Sequence, residues 1–187
     1  MKNFIIICIF SILGVSGIYA QNNDEMKKWM DYMTPGKEHQ EMADMTGDWD
    51  AVNLLWMDPA GEPTKAVGNI KIEMILGGRY QHMTMESVVM GMPYSGAGLT
   101  GFDNAKKVFV STYIDNMGTG IMYSEGTYDK DAGGIVFKGK EVDPVTGNDM
   151  QFKEVYKIID KNKFIMEMYN VENGKEFKSM EMTCTRK

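Results

Sequence analysis

The chain has 187 residues with 26 acidic and 20 basic side chains, a net charge of −6, and two cysteines. Its lysines stand singly rather than in clusters, which excludes the phosphate-neutralising stripe that nucleic acid requires and gives a membrane surface nothing basic to hold. The length suits one sizeable core and is short for two.

Lys2, an apolar run from Phe4 to Val15 and small residues from Ser16 to Ala20 form the pattern of a secretory signal peptide over residues 1–20, with cleavage near Ala20. The expected destination is the periplasm or the extracellular space. The apolar run is shorter than the roughly 20 residues that span a bilayer, so no stable membrane anchor is expected. Cys8 lies in this leader, which leaves Cys184 alone and makes an intramolecular disulfide impossible even in an oxidising compartment.

Residues 21–45 read as an N-terminal helical segment. Met26, Trp29, Met30 and Met33 recur at helical spacing until Pro35-Gly36 breaks the pattern, and a second short helix follows over Lys37–Met45. From residue 46 to 187 the chain alternates turn clusters with runs rich in Val, Ile, Tyr, Phe and Thr. The clusters fall at Asp58–Pro63, Gly77-Gly78, Gly91–Pro93, Asp103-Asn104, Asn116–Gly120, Asp129–Gly134, Asp143–Asn148, Asp160–Asn162 and Glu172–Gly174, nine breaks that make ten strands. Short connections imply antiparallel hairpins, and a sheet of this size removes its exposed edges best by closing. The expected fold is all-β, a ten-stranded antiparallel up-and-down barrel preceded by one or two short helices. Alternation turns Met150, Phe152, Glu154, Tyr156 and Ile158 inward in the eighth strand, Ile135, Phe137, Gly139 and Glu141 in the seventh, and Met180, Met182 and Cys184 in the last.

Gly47-Asp48-Trp49 resembles the G-x-W element that opens the first strand of lipocalins and related barrels, where the tryptophan plugs the closed end. An arginine near the end of the last strand stacks over it in those barrels, and Arg186 matches that place. The resemblance gives Trp49 and Arg186 structural roles, joined by a cation–π contact of about 0.5 to 2 kcal/mol. The chain as a whole is similar to a bacterial family known as domain of unknown function 1579. The similarity rests on Trp29–His39 (WMDYMTPGKEH), Ile75–Tyr80 (ILGGRY), Gly91–Tyr94 (GMPY), Gly101–Asn104 (GFDN), Ser111–Gly120 (STYIDNMGTG) and Glu125–Thr127 (EGT). It implies a lipocalin-like barrel and carries no established activity.

Gly96–Gly101 fits the G-x-G-x-x-G spacing of dinucleotide loops but lacks the helix that must follow it, so its glycines read as relief for a bent strand. His39 and His82, the only histidines, cannot build a zinc site; His39 reads as a surface residue and His82 as singly hydrogen-bonded, and no metal or cofactor is expected. No serine sits in a nucleophile elbow. Four M-x-M pairs, 83/85, 90/92, 166/168 and 180/182, read either as an adaptable cavity wall or as soft thioether ligands for Cu(I).

Glu125, Glu141 and Glu154 can all line the interior by alternation, and an unpartnered carboxylate there costs several kcal/mol or takes up a proton. The leading expectation is an exported barrel that binds a small, apolar or amphipathic molecule in its interior. Arg79, Tyr113, Tyr123, Glu125, Glu154 and Tyr156 are its expected polar contacts. A small-molecule enzyme using an inward Glu as acid or base is the alternative of another class, with less support from the residues. Oligomeric state has no signature in the sequence.

Overall fold

The structure, a computed structural model, describes residues 16–172 and 174–187, with side chains from residue 23 onward. Most of the expected leader, residues 1–15, therefore lies outside the described residues. Contacts divide the chain into a unit ending at Thr34 and a unit Pro35–Lys187. The first contains helix α1, Ser16–Met33, which starts earlier than the spacing of its apolar residues indicates. No helix among the described residues is long and apolar enough to cross a membrane.

The second unit opens with helix α2, Lys37–Asp44, and continues as ten strands: β1 Gly47–Leu55, β2 Thr64–Ile75, β3 Tyr80–Val89, β4 Met92–Asp103, β5 Val108–Asp115, β6 Met122–Asp129, β7 Gly134–Val142, β8 Asp149–Asp160, β9 Lys163–Glu172 and β10 Lys175–Arg186. Each strand pairs antiparallel with its neighbours in sequence, and β1 pairs with β10, so the sheet is a closed barrel. The turns are encoded locally. Asp58, Asp103, Asp115, Asp129, Asp143 and Asp160 each accept a backbone N–H from two residues ahead at 2.7–2.9 Å. This side-chain turn reverses the chain without help from tertiary packing.

Closure of the barrel rests on one constellation. Trp49, fully buried, stands opposite Arg186 in the β1–β10 register. The indole N–H donates to the Met45 carbonyl at 3.1 Å, and the Arg186 guanidinium lies 4.2 Å over the ring. Arg186 also donates to the carbonyls of Lys161 at 2.8 Å, Thr46 at 2.6 Å and Asp44 at 2.9 Å. One side chain thus joins the β8–β9 turn, the end of α2 and the first strand. Gly47 is required here, because its φ is +140° and a Cβ would stand 2.6 Å from the guanidinium. Around Trp49 the core gathers Met45, Ile70, Ile72, Phe164, Met182 and Cys184, with the Trp49 and Phe164 rings edge-on at 4.9 Å. The core therefore fills the α2 end of the barrel.

His39 is buried, which corrects the expectation of a surface residue. Its Nδ1 accepts the Gly36 N–H at 3.0 Å, its ring meets Phe102 edge-on, and burial lowers its pKa. His82 faces outward on β3, 3.5 Å from Glu73.

On the outer wall Glu167 of β9 takes Lys157 from β8 and Lys178 from β10, both at 2.6 Å. Alternation from Met182 and Met180 would turn Lys178 inward. The register of β10 against β9 shifts between Lys178 and Met180, and the bulge puts Lys178 on the outside with Glu167 and Glu181.

Two outcomes follow. Arg186→Ala, or Gly47→Val, which displaces the guanidinium, lowers unfolding stability by about 1 to 3 kcal/mol in urea, whereas Arg186→Lys recovers only part of it. Burial alone would raise the Glu167 carboxyl; the hydrogen bonds from both lysines outweigh that and lower it to about 2. Its stabilisation is complete above the unfolded-state value near 4.5 and is lost as pH falls through about 2. Glu167→Gln therefore destabilises at pH 7 by about 1 to 3 kcal/mol, trimmed by the partial exposure of the lysines. Melts at pH 7 and 2.5 show the difference shrinking in acid.

Candidate functional site

Below the core the barrel is open. A cavity of about 340 Å³ runs from Met42 and Met45 of the α2 end to Leu55, Val89 and Met117 at the far ends of β1, β3 and β5. A second recess lined by Trp56, Met57, Met90 and Phe177 shares Leu55, Val89, Glu141, Met168 and Met180 with it. The mouth therefore lies at the rim opposite α2. Ten of the chain's 19 methionines line the cavity. Met166 stands opposite Met182, and Met168 opposite Met180, across β9 and β10. Three of the four M-x-M pairs thus face inward, whereas Met90 and Met92 are exposed at the β3–β4 turn. Unbranched thioethers make a wall that reshapes around a guest.

Polar groups interrupt this wall at a few places. Tyr113 of β5 and Tyr94 of β4 share a hydrogen bond at 2.8 Å, and Tyr94 donates to Asp115 at 3.2 Å. Burial, followed by these hydrogen bonds and the Asp115 charge, raises the Tyr94 hydroxyl. Gly96 and Gly98 serve this cluster: a Cβ on Gly96 would collide with the Tyr113 hydroxyl, and one on Gly98 would lie 3.2 Å from its ring. The glycines of the apparent dinucleotide motif are thus the floor on which Tyr113 lies. Asp115 is partnered on both oxygens, since its other oxygen accepts the Met117 and Gly118 N–H groups at 2.9 and 3.1 Å.

Glu154 is different. It faces the cavity from β8, between Phe137 of β7 and Met168 of β9. It makes no hydrogen bond or ion pair among the described residues, and desolvation alone raises its pKa to about 7. Two residues on, the buried Tyr156 hydroxyl has no partner either, nor has the Asn53 Oδ1, on a residue only 3% exposed. Glu141, nearer the mouth, is also raised, by burial and then by the Asp115 charge. An unmade buried hydrogen bond costs about 1 to 3 kcal/mol, so such atoms mark a place where a partner belongs.

Of the six polar contacts expected from sequence, Tyr113, Glu154 and Tyr156 lie on the cavity wall. The other three do not. Tyr123, 46% exposed, and Glu125 point outward from β6, with the phenol donating to the carboxylate at 2.6 Å and Lys106 at 3.0 Å. Their inward neighbours are Ser124 and Gly126, because a Cβ on Gly126 would meet the Phe137 ring at 2.6 Å. Arg79 sits in the β2–β3 turn, where it donates to the carbonyls of Leu76 and Gly77. Asn53, Tyr94, Asp115 and Glu141 were missing from the expected contacts. Strand alternation exposes the first, between Ala51 and Leu55 in β1, and the second, which shares the cavity face of β4 with Gly96 and Gly98.

A closed ten-stranded antiparallel barrel with a tryptophan plug at one end and an open interior at the other is a lipocalin-like β-barrel. The chain belongs to the family of proteins of unknown function DUF1579, which matches residues 34–186; Trp29–Met33 of the resemblance lies outside that match. Among solved structures, the barrel is similar to Rv2717c from M. tuberculosis, with a TM-score of 0.60, 14% identity, and coverage of 82% of this chain and 99% of that one. It is also similar to the S-type phycobiliprotein lyase CPES from Guillardia theta, with a TM-score of 0.56, 10% identity, and coverage of 84% and 96%. At these identities the likeness is one of fold. No curated protein matches the sequence.

Glu154 has a raised folded-state pKa, so the folded protein holds this proton more tightly than the unfolded chain does. Stability is favoured below the unfolded value near 4.5 and declines as pH rises through about 7. Glu154→Gln accordingly raises the melting temperature at pH 8 by several degrees and leaves it nearly unchanged at pH 4.5. Equal shifts at both pH values would contradict the burial of this carboxylate.

Proposed function

We propose that this protein binds a small, largely apolar molecule with a polar end inside the barrel. The observation that carries the reading is the 340 Å³ cavity with its methionine-rich wall and its unpartnered polar atoms at Asn53, Glu154 and Tyr156. Its volume lies in the range of small-molecule sites, and apolar walls with a few polar groups are their usual composition. We further infer that the protein is exported, with cleavage near Ala20, on the leader-like chemistry of residues 1–20.

A second reading is acid–base catalysis by Glu154. One observation favours it: a carboxyl with a pKa of about 7 inside a cavity can both give and take a proton near neutrality. It shares the bound molecule with the first reading and adds a chemical step.

The neutral fluorophore N-phenyl-1-naphthylamine is expected to bind in a 1:1 ratio with a blue-shifted, enhanced emission. Met168→Trp, which fills the part of the cavity that adjoins the mouth, weakens it by at least about tenfold, the scale of losing about 1.4 kcal/mol of contact. Undiminished binding to that variant places the probe elsewhere and removes the support for an interior site.

A further inference from the structure

The cavity wall carries charge of one sign only. Glu41, Asp115, Glu141 and Glu154 border it, and among the described residues no lysine, arginine or histidine does. The basic side chains that could have entered are held outside by visible devices. Arg79 is tied to its own turn carbonyls, and Lys178 is turned out by the β10 bulge onto Glu167. A guest with a carboxylate or phosphate would find no counter-charge and would meet carboxylates across a low-dielectric interior, where like charges repel strongly.

The acids are not equivalent. Glu41 is exposed and paired with Lys37 at 3.2 Å, and both Asp115 oxygens are occupied. The carboxylates are also too dispersed to share a metal ion, since no group of three or more His, Cys, Asp or Glu among the described residues could hold one. Glu154 is left as an inward acceptor with nothing to accept from. The orphaned Asn53 Oδ1 is a second acceptor on the same wall, on a residue more than nine-tenths buried. An amide oxygen can only accept. Both therefore call for a donor on the guest.

We propose that the polar end of the bound molecule is a protonated amine, seated against the Glu154 carboxylate while its hydrocarbon part fills the methionine-lined space. This deepens the binding reading and rests on it. The energetics favour the pair, because the half-buried Glu154 has already lost part of its water to the barrel wall. The usual desolvation penalty of a buried ion pair then falls mainly on the amine.

The groups facing Glu154 are Tyr156 on its own strand and Tyr113 across the interior, with Glu141 and Asp115 toward the mouth and Cys184 deeper beside Tyr156. The flanking strands present Phe137 and Met168. None of these supplies a cation. Selection for the amine consequently weakens as acid protonates Glu154.

The test is displacement of N-phenyl-1-naphthylamine from the full chain by decylamine, decanol and decanoate at pH 8 and pH 5. At pH 8 decylamine is expected to bind about tenfold or more tightly than decanol, with decanoate weakest, and its lead to shrink at pH 5. Glu154→Gln abolishes the lead of the amine over the alcohol at pH 8, with circular dichroism verifying the fold. Equal binding of all three compounds, or preference for decanoate, overturns the amine proposal while leaving interior binding intact. An unchanged amine lead in Glu154→Gln overturns the assignment to Glu154. Failure of the fluorophore and of all three compounds to bind overturns the binding reading itself.

Discussion

Barrel closure depends on the meeting of the first strand with the last, and at that seam the Arg186 guanidinium lies over Trp49. A ten-stranded sheet left open would expose two edges of unpaired backbone groups. Pairing β1 with β10 removes both, and Arg186 reinforces the seam from three sides by donating to carbonyls of Asp44, Thr46 and Lys161. The same contact places the core. Trp49, Phe164 and their neighbours fill the α2 end, a smaller cluster of Met42, Phe109 and Phe137 packs within the barrel, and the interior beyond them stays open.

What fills that interior is decided by which side chains the strands turn toward it. Thioethers provide most of the surface, and they adapt to shape without imposing one. Specificity must come from the few polar atoms. The Tyr94–Tyr113–Asp115 cluster is satisfied within the protein and acts as rigid wall. Glu154, Tyr156 and Asn53 are not satisfied, and in a native interior such atoms are the exception. The acid–base and binding readings both begin from this carboxylate and differ only in whether its proton moves.

Much of the fold was legible because its signals are local. Asp at the head of a turn captures backbone N–H groups two residues on at six of the nine breaks, and glycines mark the other three, so each could be read by itself. Faces were legible where large apolar residues alternate with charges, as in β8, where Phe152, Glu154 and Tyr156 face in. In β6 the signal inverts. Its inner positions are Ser124 and Gly126 because the Phe137 ring needs the room, so the large Tyr123 lies outside. No single strand carries that information, since it belongs to the packing of β6 against β7. Lys178 is a similar case, because its outward turn depends on a bulge that alternation cannot foresee. Arg79 misleads for another reason: a long cation beside a glycine turn satisfies itself on turn carbonyls.

The central claim is that Glu154 stands desolvated and unpartnered in an open interior. Carboxyl-carbon NMR titration of the chain, with the Glu154 resonance assigned by its loss in Glu154→Gln, tests this most directly. The account predicts a midpoint near 7, moving down when an amine occupies the cavity. A midpoint near the ordinary value of about 4.3 would mean that the carboxylate meets water or a partner of its own, and would contradict it.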